Sequence, residues 1–282
     1  MKNSFKKEWD KQTQVSEMPT KLNKIITLEY EYFKSKIESN DEEFANEIVS
    51  SLFEGNAYVI KNTLDADFLE ELKQKTFEWG QENDSSYHEC LEGSPNFNRV
   101  VDESLSGKYN SKSIWHQHLF YRWNGDVFGL FNPIYERWKV MKQLWGLNPN
   151  EYEKNTPKDG IVDRIHIYRY PHGGGYLATH SDPFKFQKTI MVVKMSQKGK
   201  EYESGGLYFI DKNDNKMNIE DNMNIGDMYF TFPSVLHGVD TIDPEKEVNW
   251  NSIEGRWILG LYSMNSNHII DRHTVQTVKD YE

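Results

Sequence analysis

The stretch Tyr170-Pro-His-Gly-Gly-Gly-Tyr-Leu-Ala-Thr-His180-Ser-Asp182-Pro holds the residues with the most chemistry in this chain. Side chains of an extended strand alternate, so His180 and Asp182 share one face and Ser181 takes the other. An imidazole and a carboxylate side by side are two ligands for a divalent metal. His237, at a strand start after Phe232-Pro233, offers a third. Two histidines and one carboxylate leave neighbouring positions of an octahedral iron open for other molecules. His-x-Asp also arises by chance in a chain with nine histidines, so its surroundings must decide.

Those surroundings form an ordered set. Gly205-Gly206 and Gly226-Asp227 read as tight turns into the strands 207–210 and 228–232. The triple glycine before the first ligand permits a sharp turn and is no phosphate cradle, because no helix follows it. Arg256 opens an apolar strand, where a guanidinium is costly without an anionic partner. The competing reading is a rim arginine paired with a surface acid.

If Tyr170 faces a pocket, alternation brings Tyr168, His166 and Arg164 to the same side and turns Ile165 and Ile167 away. Arg164 and His166 are then candidate substrate contacts. The opposite orientation, with the isoleucines inward, is the alternative. Trp115-His116-Gln117-His118, with the later Tyr121-Arg122-Trp123, forms an aromatic and basic island. It reads either as a substrate wall carrying Trp115 or as packing against the core. His116 and His118 lack a third ligand for a metal of their own. The polar segment 240–254 between two pocket residues reads as a lid or as an ordinary long loop. Lys185, Lys188, Lys194, Lys198 and Lys200 read as a solvated face.

These residues need elements to hold them. Helical periods dominate early: 21–38 carries an apolar stripe, Asp65 caps a helix that Gly80 ends, and Asn132-Pro133 starts another that stops at Gly146. Residues 57–60 read as a strand and 82–113 as long loops. Later come short apolar runs at 162–170, 176–180, 189–195, 207–210, 228–232, 236–241 and 256–264. Many short strands between turns predict a mostly β core, a jelly roll of the double-stranded β-helix kind braced by N-terminal α-helices. The expected division is a helical and loop portion, 1–155, packed on a catalytic core, 156–282, as one composite domain.

Composition narrows the function. The 282 residues carry 33 basic and 44 acidic side chains, a net charge of −11, which disfavours nucleic acid and anionic membrane as partners. One cysteine, Cys90, excludes an intrachain disulfide framework and a cysteine-based zinc site. No secretory signal or membrane span is visible, so a cytoplasmic protein is expected. The oligomeric state is not legible.

Over residues 160 to 265 the chain resembles the iron(II)- and 2-oxoglutarate-dependent oxygenases, most closely the prolyl-hydroxylase branch. The resemblance implies a double-stranded β-helix holding iron through His180, Asp182 and His237. It implies that Arg256 and Tyr170 bind the far carboxylate of the cosubstrate 2-oxoglutarate. The implied reaction is hydroxylation of a small-molecule substrate by dioxygen (O2), with release of succinate and CO2. Asp182 favours hydroxylation, since halogenating relatives generally lack that carboxylate, and leaves desaturation or ring formation open. Two features depart from the pattern: a long gap between His237 and Arg256, and Ile258 where many relatives carry a hydroxyl. The rival readings are a peptide or protein hydroxylase, a nucleic-acid demethylase that the net charge disfavours, and a non-oxidative cupin-type metal-binding barrel.

Overall fold

The computed structural model describes residues 3–108, 111–129, 131–272 and 276–277. Among them, the part before residue 156 forms α1 (Ser4–Val15), α2 (Tyr30–Glu38), α3 (Glu42–Phe53), α4 (Ala66–Glu82) and α5 (Phe131–Leu144). The same part supplies strands β1 (Ile25–Glu29), β2 (Ala57–Lys61), β3 (Phe97–Val101) and β4 (Ser113–Phe120). There follow β5 (Ile161–Tyr170), β6 (Tyr176–Ser181), β7 (Ile190–Lys194), β8 (Gly206–Ile210) and β9 (Lys216–Asn218). The last are β10 (Met228–Thr231), β11 (His237–Asp240), β12 (Arg256–Asn265) and the short β13 (Gln276–Thr277).

One sheet runs β1-β2-β10-β7-β12-β5-β4, with β3 beyond β4. The other runs β6-β11-β8-β9. From β5 onward the chain crosses repeatedly from one sheet to the other and all core pairings are antiparallel. That alternation is a double-stranded β-helix. β4 joins both layers: residues 116–120 pair with β5, and 113–114 with β6. Strands from the first half therefore extend the core sheets as well as covering them.

The helices cover the outer face of the larger sheet. Phe33 packs on Phe230 with ring centroids 5.6 Å apart, and Tyr58 stacks on Phe230 at 5.0 Å. Trp9, Trp138 and Trp145 are all buried. The indole N–H of Trp9 donates to Leu144 O and that of Trp145 to Thr189 Oγ1.

The expected helix over 21–38 divides. Ile25–Glu29 is a strand because it lies parallel to β2 in register, and only Tyr30–Glu38 is helical. A β-branched run beside a waiting sheet edge overrides a helical stripe. The loop expected over 82–113 contains β3, and the island at 115–118 is a strand. Lys194 leaves the proposed solvated face: it is buried, donating to Glu220 O and Met223 O.

α4 runs through Gly80 instead of ending there. A Cβ at Gly80 would lie 2.6 Å from His118 Nε2, so its absence lets the helix rest on β4. Ala normally gains about 1 kcal/mol over Gly inside a helix. Here the fully buried His118 ring, stacked on Trp257, has no room to retreat. Gly80→Ala is expected to lower stability by about 1–3 kcal/mol, read from the urea midpoint; a gain would contradict this packing.

Candidate metal centre

β6 and β11 are antiparallel neighbours, and His237 lies directly opposite His180. Their ring centroids are 4.2 Å apart. The Asp182 N–H donates to Pro233 O just beyond β6, and the carboxylate comes within 3.4 Å of His237 Nε2. One ligand atom from each of the three side chains lies within 4.8 Å of the others. The sequence placed these residues far apart; the strand pairing brings them together.

The second nitrogen of each ring is accounted for. His180 Nδ1 lies 2.9 Å from Ala178 O, and His237 Nδ1 lies 2.9 Å from Val235 O. A carbonyl only accepts, so both Nδ1 atoms carry the proton and both Nε2 lone pairs remain for a metal. Burial, with His237 alongside, pushes His180 down to about 4. Burial alone would raise Asp182, but the two neighbouring imidazoles, His237 foremost, hold it below the usual carboxylate range. At neutral pH the set presents a carboxylate and free imidazole lone pairs, a donor set that suits iron(II).

A cavity of about 390 Å³ opens beside the triad. Arg164, His166, Tyr168 and Tyr170 line it, while Ile165 and Ile167 turn away into the hydrophobic core. Trp115 and Gln117 of β4 line it too. His116 and His118 take the other face, their rings 4.1 Å apart, beneath α4. His116 Nε2 meets Asn98 Oδ1 and His118 Nδ1 meets Ile167 O. Burial pushes His116 down to about 3 and His118 well below the ordinary histidine range. These two are packing residues, with no third ligand at hand among the described residues.

Arg256 sits opposite Tyr170 in the β12–β5 register, its guanidinium carbon 5.1 Å from the tyrosine ring centroid. The anion it required is Glu220. Arg256 Nε donates to both Glu220 oxygens at 2.9 Å, and Nη2 to Oε1 at 2.6 Å. Both side chains are about 1% exposed. Glu220 also accepts from Tyr202 Oη and the Leu207 N–H. Burial pushes each group toward neutrality, but the partner's charge overrides it, raising Arg256 and lowering Glu220. Nη1 of Arg256 is buried with no protein acceptor. Sequence reasoning missed Glu220, which sits in a polar, acid-rich turn with no pattern to mark it.

The segment 240–254 lies outside the cavity wall. Its first turn is fastened: Asp243 is buried and accepts from the Glu203 and Ser204 N–H groups, and Gly173 N–H donates to Ile242 O. Trp250 O accepts from Arg169 Nη2. It is a tethered loop.

No family model and no curated protein matches the chain. Solved structures do. A full-length Neurospora crassa protein, solved in complex with alpha-KG and thymine, aligns with a TM-score of 0.53 at 12% identity, over 87% of this chain and 86% of its own. A Pseudomonas putida prolyl-4-hydroxylase gives 0.44 at 13% identity, over 73% and 91%. A prolyl hydroxylase from Trichoplax adhaerens, bound to a hypoxia inducible factor peptide fragment, gives 0.46 at 11%, over 81% and 92%. The likeness to the Neurospora protein shows a shared double-stranded β-helix fold.

Two outcomes follow from the buried groups. Glu220→Ala strands the Arg256 charge and is expected to cost about 3–5 kcal/mol in urea unfolding, while Glu220→Leu with Arg256→Met recovers most of it. His116, His118 and His166 are held neutral by burial, so the unfolded chain binds more protons than the folded one below the ordinary histidine pKa. Their contribution is complete above pH ~6.5 and falls as pH drops, by up to about 1.4 kcal/mol per pH unit for each. Asp163, pushed up to about 6 by burial, acts in the opposite direction with one group. The urea midpoint is therefore expected to be lower at pH ~5 than at pH ~7; a flat profile would contradict neutral burial of the three rings.

Proposed function

We propose that this chain, with the double-stranded β-helix fold of the 2-oxoglutarate- and iron(II)-dependent oxygenases, is such an oxygenase and hydroxylates a small molecule. The observation that carries the proposal is the joint placement of His180, Asp182, His237 and Arg256 around one cavity. His180, Asp182 and His237 would hold iron(II) through two imidazole Nε2 atoms and a carboxylate. When bound, the metal with 2-oxoglutarate and dioxygen supplies the oxidation, releasing succinate and CO2 as the substrate gains a hydroxyl group.

The chain's own residues do the rest. Ala178 O and Val235 O fix the tautomers of both imidazoles, so the triad needs no proton rearrangement to receive a cation. Glu220 ties one edge of Arg256 and leaves Nη1 for the far carboxylate of the cosubstrate, with Tyr170 beside it. Ile190, Val192 and Leu207 give the cavity apolar walls that exclude water. A volume of about 390 Å³ lies within the usual range for small-molecule sites and supports a compact substrate over a protein.

Anaerobic addition of iron(II) and then 2-oxoglutarate is expected to produce a visible metal-to-ligand charge-transfer band. His180→Ala is expected to abolish it. A wild-type protein that shows no band, or a variant that keeps it, would remove the oxygenase reading. A cupin-type activity without 2-oxoglutarate would instead survive Arg256→Lys unchanged.

A further inference from the structure

The far part of the cavity wall is rich in hydrogen-bond donors that the protein leaves unused. Arg164 Nε and His166 Nε2, two residues apart on one face of β5, are buried, and neither has a protein partner. Both side chains line the cavity. The proton on His166 is fixed by its neighbours. Gln117 Nε2 donates toward both His166 Nδ1 at 3.1 Å and Tyr168 Oη at 3.0 Å, and Tyr168 Oη lies 2.6 Å from the same Nδ1. With Nδ1 accepting, the ring proton of the neutral imidazole sits on Nε2. This part of the wall thus offers two N–H groups, and a buried donor left unpaired costs about 1–3 kcal/mol that an acceptor recovers.

Charge points the same way. Arg164 and Arg256 line the cavity, and Asp182, assigned to the metal, is the single carboxylate among its described lining residues. This occurs in a chain of net charge −11. Glu220 already neutralises Arg256, so the surplus lies toward Arg164. Along β5, Arg164 is six residues from Tyr170, roughly 20 Å in an extended strand. The cosubstrate clamp and this donor cluster are separate positions.

We propose that Arg164 and His166 form a carboxylate subsite, and that the substrate is a small organic acid bound through it. This rests on the oxygenase reading for what happens to the bound acid.

The test uses full-length protein loaded anaerobically with iron(II) and saturating 2-oxoglutarate, so that the Arg256 position is filled. Phenylacetate, phenylacetamide and phenethylamine are titrated as probes, as are hexanoate and hexanamide. Binding is read by perturbation of the charge-transfer band and by equilibrium dialysis. The acids are expected to bind about tenfold or more tighter than their amides, the worth of one charge-assisted hydrogen bond. The amine is expected to bind worst. Arg164→Gln should erase the preference for the acid and Arg164→Lys should restore part of it. If Arg164→Gln fails to fold, His166→Phe keeps an aromatic ring, removes the Nε2 donor, and should weaken the acids about threefold or more. Equal binding of acid and amide, tighter binding of the amine, or no binding of either acid up to its solubility limit overturns the subsite. Absence of the band before any probe is added is a different failure, that of the oxygenase reading itself.

Discussion

One pairing governs the site: His237 faces His180 across two antiparallel strands. Cross-strand neighbours sit close enough for their side chains to touch, so two imidazoles from distant parts of the chain meet without any flexible arm. The carbonyls two residues behind each histidine set its tautomer. Asp182, just past the end of β6, is carried in by a backbone hydrogen bond to Pro233. The geometry of the centre is thus a property of the sheet ladder.

Around this centre the molecule tolerates an unusual amount of buried charge. Arg256 with Glu220 and Lys142 with Asp163 are ion pairs almost wholly out of water. Such pairs rarely add stability over apolar residues of similar size. Their value here is positional. Arg256, locked on one edge by Glu220, presents a single amino group at a defined place, whereas an untethered arginine would sample several rotamers. Lys142 Nζ also donates to Glu151 O, and Asp163 accepts from Ser263 Oγ, so that pair joins α5 to the start of β5 and the end of β12.

Much of this was legible in the residues. The seven strands expected for the core each lie within a residue of their bounds, because short apolar runs between glycine turns have few other readings, whereas the polar β9 was not expected. The ligand set was legible because His180 and Asp182 carry a two-residue period and His237 follows a turn. The orientation of β5 was not: apolar Ile165 and Ile167 and polar Arg164 and His166 alternate, and only the helices outside the sheet determine which side is inner. The strand at Ile25–Glu29 was hidden because its pairing partner, β2, lies some thirty residues on. Glu220 was invisible for a different reason. Nothing local distinguishes an acid that will be buried against an arginine from its neighbours, of which Asp221 is exposed and Asp227 is buried.

Among the described strands, β4 is the one shared by both layers, and its two faces serve opposite ends. Trp115 and Gln117 look into the cavity, while His116 and His118 lie under α4. Substitutions along this strand can be absorbed one side chain at a time. A change in its length cannot: one residue added or lost within 113–120 would turn the wall inside out, seating indole and amide beneath the helix and two imidazoles in the cavity. Across sequences that keep this chemistry, the strand should therefore vary in letters and hold constant in length.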